Sequence, residues 1–148
     1  GGNSSFFTRE IEISGHHIIQ ALSRENKVDY EIANNKIKLE GINSFSAKAN
    51  ENSDNTIAIE QRTIYNDLVD EIRKTLRFYM KNNNQSFFNN FYITGGSSIT
   101  PGLNEFIANG LNVKVHALDP FKKIDKTNSI GNPEQFTTAI GLALRGLE

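Results

Sequence analysis

"YITGGSSITPGL", residues 92–103, runs from an apolar strand end straight into two glycines, two serines and a proline. A loop of this composition gives the backbone freedom and lets something approach it closely, because glycine puts no Cβ in the way. It also decides how its flanks read. Upstream, "SFFNNFYITGG" (86–96) has the aromatic and β-branched content of a strand ending at Gly95. Downstream, "TPGLNEFIANGL" (100–111) reads as a helix with Thr100 as its cap and Pro101 in the first turn, where a missing N–H costs nothing.

Working outward, "VKVHALD" (113–119) reads as a second strand, and "PFKKIDKTNSIGNP" (120–133) as a connection rich in turn residues. "EQFTTAIGLALRGL" (134–147) is a closing helix carrying the small residues Ala139, Gly141 and Ala143. Before the loop lies the longest helical pattern, "QRTIYNDLVDEIRKTLRFYMK" (61–81). Ile64, Leu68, Ile72, Leu76 and Tyr79 form its apolar stripe, and Asp67, Glu71, Arg73, Lys74 and Arg77 a solvated face. Helix, strand, helix, strand, helix at these lengths predicts an α/β layer with parallel strands and right-handed crossovers.

The amino-terminal third is organised differently. "FFTREIEIS" (6–14) alternates with period two and reads as a strand. "HHIIQALSRE" (16–25) spaces Ile18, Ile19 and Leu22 as an amphipathic helix, and "DYEIANNKIK" (29–38) as a short helix capped by Asp29. Residues 43–56, "NSFSAKANENSDNT", are too polar to offset the entropy of ordering and are expected to be a mobile loop. The chain is therefore expected to divide at this loop, ahead of an αβαβα core in 61–148.

Composition disfavours several classes. Sixteen basic against 17 acidic residues leave a formal charge of -1, so no electrostatic footprint points to nucleic acid or an anionic membrane. The absence of cysteine excludes disulfides and thiolate ligands and fits a reducing, cytoplasmic setting. No apolar run approaches a membrane span, and "GGNSS" lacks the basic and apolar regions of a signal peptide, so no direct insertion into a bilayer is expected.

Two readings of the glycine loop stand side by side. Ligands gather at the carboxyl ends of parallel strands, and this loop precedes a helix amino terminus that favours anions. Equally, a strand-to-helix turn holds glycines for geometry alone, and the loop is neither a Walker loop nor a dinucleotide fingerprint. Gly141 poses the same choice between close helix packing and approach of a ligand. His16, His17 and His116 find no carboxylate at metal spacing and read as surface or cap residues, so no metal ligands are expected. No serine sits in a nucleophile elbow and no carboxylate pair stands out, which ranks an enzyme acting on a small metabolite last.

Taken in order and spacing, "FFTREIEISG", "EIRKTLRFYM", "YITGGSSITPGL", "ALDPFKKI" and "AIGLALRG" resemble the carboxyl-terminal half of the PilM family of type IV pilus assembly proteins. That family belongs with the actin-like ATPases, beside FtsA. The resemblance implies a ribonuclease H-like second lobe, here truncated, with a residual sheet strand in 1–14, a small inserted subdomain in 15–60 and the αβαβα core in 61–148. Two lobes would hold ATP and magnesium between them in the full-length parent. The family's glycine loop supports sugar and phosphate, which carries over to Gly95, Gly96, Ser97 and Ser98, with Gly141 facing the same crevice. A glutamate and a lysine three apart lie near the ribose in the family. Here the stretch is "IANNKIK", with Lys36 as candidate lysine and Ala33 three before it; the other register sets Asn34 and Ile37 in those places. Neither restores the pair.

The resemblance further implies that the acidic phosphate-binding hairpin precedes this chain. Two central strands are then missing between 6–13 and 88–94, so those segments should not pair directly. The chain alone is expected not to hydrolyse ATP, and the parent to be at most a weak ATPase. The implied setting is cytoplasmic, at the inner face of the inner membrane. The implied partners are a PilN-like inner-membrane protein, held through the missing first lobe, and further copies of the protein. The alternatives are a nucleotide-silent scaffold of the same fold, or another actin-like relative from cell division or type II secretion.

Overall fold

A computed structural model describes residues 7–45, 62–83, 87, 88, 90–122, 124 and 130–146. Helix α1 (Gly15–Asn26) starts where Ser14 and His17 form a reciprocal cap: the Ser14 hydroxyl accepts the His17 N–H, and the imidazole Nδ1 accepts the Ser14 N–H at 3.2 Å. One of the three histidines expected to be surface or cap residues is thus a cap. A left-handed Lys27 ends the helix, and α2 (Tyr30–Glu40) follows after Asp29, whose side chain makes no cap hydrogen bond. A 3-10 turn, Gly41–Phe45, then buries Ser44 and Phe45. The expected mobile loop therefore starts too early, because Phe45 inserts edge-on against Tyr65 with ring centres 5.5 Å apart. Its remainder, 46–56, lies outside the described residues.

Helix α3 (Ile64–Asn83) buries Tyr65 and Val69 most deeply, one position round from the expected stripe, with Ile64 and Leu68 packed beside them. The shift has a local cause in α4 (Leu103–Leu111), which crosses α3 at Gly110. A Cβ there would lie 2.7 Å from Val69 Cγ1, so the missing side chain sets the helix contact. Arg73, expected on a solvated face, donates to the Gly110 carbonyl at 2.6 Å and so caps the end of α4. It also pairs with Asp70, whose carboxyl is held below its ordinary range mainly by the hydrogen bond from Arg62.

Strands β1 (Phe91–Ile93) and β2 (Val115–Ala117) pair in parallel, Phe91 opposite Val115 and Ile93 opposite Ala117, with α4 between them in the chain. Helix α5 (Thr137–Arg145) follows a 3-10 turn over Pro133–Phe136. The α/β class and the helix–strand alternation of 61–148 are therefore present. Residues 7–13 differ from expectation. They keep the alternation, Ile11 and Ile13 half-buried and Glu10 and Glu12 exposed, yet form no ladder among the described residues. They run along α3 instead: Arg9 bonds Glu71 and Thr75 at 3.0 Å, and Phe7 meets Phe78 and Tyr79. β1 pairs with β2 and not with this segment.

One apolar cluster joins both expected parts, taking Ile18, Leu22, Ala33 and Ile37 from the first two helices and Tyr65, Val69, Leu103 and Ile107 from the others. Among the described residues no helix is long and apolar enough to cross a membrane.

Two predictions test this core. Gly110→Ala should cost about 1–3 kcal/mol by overpacking and cost clearly less in a Val69→Ala background; urea denaturation of both single variants and the double variant measures the coupling. The Tyr65 hydroxyl is buried with no hydrogen-bond partner among the described residues, and burial pushes its pKa up to about 12. The unfolded phenol ionises near pH 10, so the stability held below that pH should be lost as pH rises toward the folded value. Tyr65→Phe should abolish that loss and leave neutral-pH stability unchanged or raised by up to about 1 kcal/mol.

Candidate functional site

The glycine loop is built by three successive turns. Gly95, at φ 96° and ψ 174°, takes a backbone conformation essentially closed to residues with a Cβ. A 3-10 turn over Gly96–Ile99 follows, in which Ser98 donates to the Gly95 carbonyl from both its N–H (3.1 Å) and its hydroxyl (2.6 Å). Then Thr100–Leu103 closes with the Leu103 N–H on the Thr100 carbonyl at 3.1 Å, and Gly102 at φ 77°. Pro-Gly at the middle of a turn is the type II signature. It displaces the expected start of α4: Gly102 precedes the helix, and neither Thr100 nor Pro101 has the role first assigned to it.

Backbone contacts anchor the loop to the rest of the protein. The Pro101 carbonyl accepts the Ile42 N–H at 3.1 Å, and a Cβ on Gly41 would run into that carbonyl. A Cβ on Gly15, at the start of α1, would lie 2.5 Å from the Ser97 hydroxyl oxygen. On the other side the Glu134 carbonyl accepts the Gly95 N–H at 3.0 Å and the Thr94 and Thr137 hydroxyls at 3.1 and 2.9 Å.

These contacts enclose a cleft of about 400 Å³ between α1, α2 and the loop. Ile18, Ile19, Ile37 and Ile99 give it apolar walls, and Asn34, Lys38, Ser97, Thr100 and Asn132 bring polar groups. Of the residues expected to bind nucleotide, Gly96 and Ser97 line the cleft, Gly95 turns the chain into it, and Ser98 is buried and engaged by Gly95. Lys36 does not line it and sits 3.9 Å from Glu40. Gly141 lies on α5, away from the lining, with open space where its Cβ would be.

Of the two registers considered for "IANNKIK", the one naming Asn34 and Ile37 holds the lining residues, with Lys38 adding a cation. The signal was available in the sequence. Ala33 and Ile37 are the buried pair of α2, so Asn34 and Lys38, four apart, share one flank, while Lys36 falls elsewhere.

The donor set suits part of a nucleotide. Among the described residues nothing stands within 4 Å of where a Cβ would be on Gly95 or Gly96, which leaves room over the backbone there. Apolar walls fit a flat base, and Lys38 a phosphate. Magnesium lacks a matching set: among the described residues no three His, Cys, Asp or Glu side chains cluster, and the charged side chain lining the cleft is a lysine.

Residues 2–147 match the family described as type IV pilus assembly protein PilM. The chain belongs to that family. A role in type IV pilus assembly follows from membership. No curated protein matches the chain.

The two kinds of glycine in the loop can be separated experimentally. Gly95→Ala should lose about 1–3 kcal/mol, whereas Gly96→Ala, facing open space at negative φ, should stay within about 0.5 kcal/mol. Thermal melts of the two variants give the comparison.

Proposed function

We propose that this chain is the nucleotide-binding lobe of an actin-like protein of the inner-membrane pilus assembly platform. The observation that carries this reading is the cleft in which Gly96, with open space beside it among the described residues, and Ser97 oppose Asn34 and Lys38 on α2. Gly95 and Gly96 offer backbone to the sugar and phosphate side, the isoleucines enclose the base, and Lys38 balances phosphate charge. Bound ATP supplies the differential contacts by which the two lobes of the full-length protein change their relative pose. In that reading magnesium is held by residues beyond this cleft, and contact with a PilN-like inner-membrane protein is carried by the other lobe, on the cytoplasmic side. Hydrolysis by this lobe alone is not part of the proposal, because phosphoryl transfer depends on positioned charge that the cleft does not offer.

One feature favours a second reading, a scaffold that has lost nucleotide binding. In neither register of "IANNKIK" does a carboxylate stand at the place of the family's glutamate, and among the described residues no carboxylate lines the cleft to accept a ribose hydroxyl.

Calorimetric titration of the full-length protein with Mg-ATP separates the two. Saturable binding is expected. Gly96→Leu should weaken it by about tenfold or more, about 1.4 kcal/mol, with the melting temperature kept. Absence of binding by the unaltered protein would leave the scaffold, and undiminished affinity in Gly96→Leu would mean that the loop's glycines serve only the turn.

A further inference from the structure

Asn132 opens the 3-10 turn before α5 in a left-handed conformation, φ 50° and ψ 59°. Two other non-glycine residues among those described share that conformation, Lys27 and Asn112, and both close helices as C-caps. There a left-handed residue satisfies helix carbonyls. Asn132 closes no helix. Its own carbonyl accepts from Gln135, while its carboxamide makes no hydrogen bond among the described residues and borders the cleft beside Gly96 and Ser97.

The backbone that carries this side chain is tied to the loop. Two residues on, the Glu134 carbonyl takes the Gly95 N–H and the Thr94 hydroxyl, which holds the Asn132 turn against the glycine loop. The turn itself needs only a residue tolerant of positive φ, and glycine would serve it at least as well. A carboxamide in that place adds a donor and an acceptor, both unengaged, at the rim of an apolar-walled cavity.

Resting on the nucleotide reading above, we propose that Asn132 is the residue that reads the base edge of the bound nucleotide. A carboxamide accepts from the exocyclic N6 amino group of adenine and donates to N7. A base carrying a carbonyl oxygen at that carbon offers two acceptors and mismatches it. Ile18, Ile37 and Ile99 contribute the apolar faces against which the ring lies, so selectivity resides in the one polar group at its edge.

The test uses the full-length protein, ATP and inosine triphosphate, with Asn132→Gly and Asn132→Asp. Glycine preserves the turn, and aspartate preserves shape and the acceptor while removing the donor; melting curves of both verify the fold. The unaltered protein should prefer ATP about tenfold, the size of a bidentate base contact. Asn132→Gly should lose that preference by weakening ATP while inosine triphosphate changes by less than about twofold, with Asn132→Asp between. Equal weakening of both nucleotides, or no weakening of either, would reduce Asn132 to a turn residue and leave the nucleotide reading intact. If the unaltered protein binds neither nucleotide, both readings fall together.

Discussion

The crossing of two backbones, Gly41–Ile42 over Pro101–Gly102, is the constraint on which the rest of the structure depends. The Ile42 N–H meets the Pro101 carbonyl at 3.1 Å, and no room exists at Gly41 for even a methyl group. Gly102 is nearly as tight from the other side, with the Ile42 side chain 3.0 Å from its missing Cβ. The crossing brings the end of α2 onto the turn that launches α4. It thereby lets Ala33 and Ile37 share a core with Leu103 and Ile107. Burial of that core supplies the non-directional stabilisation, but the backbone contact sets where the elements meet.

The loop's own geometry accounts for part of its glycine content. Gly102 belongs to geometry, since the type II turn requires its positive φ and the neighbouring chain its lack of side chain. Gly95 also has a conformational duty, but the space beside it is open. Gly96 has neither duty: its φ is ordinary and nothing lies near. Interior glycine carries an entropic cost, so Gly96 is the position in the loop that turn geometry and packing among the described residues leave unaccounted for.

Much of this was legible in the residues. Alternation and helical spacing place α1 to α5, β1 and β2 within a few residues, because local period and burial agree there. Where reading failed, longer-range contacts had overridden a local rule. Thr100 and Pro101 look like a cap and a first helical residue until Gly102 makes the turn type II. Asn43 to Phe45 look like the start of a polar loop, but the single Phe45 finds Tyr65. Residues 7–13 have a strand's alternation without a strand partner among the described residues, and pairing is a property of the neighbour that no pattern within the segment can reveal. Asn34 and Lys38 were within reach had the phase of α2 been taken from its buried pair. Asn132 was not, since nothing local says that a turn 34 positions after Ser98 lies against the same cavity.

The cleft has no wall of its own in any one segment. Asn34 and Lys38 come from α2, Gly96 and Ser97 from the loop, and Asn132 from the turn before α5. They are brought together by the Gly41 crossing on one side and the Glu134 carbonyl on the other. An unfolded chain offers none of these groups in register, so a ligand that spans them binds the folded state alone and stabilises it by mass action. The same dependence runs backward: a change that loosens either anchor alters the geometry of the cleft without replacing any residue that lines it. Under the nucleotide reading proposed above, affinity and local stability at this site are therefore two measures of the same assembled geometry.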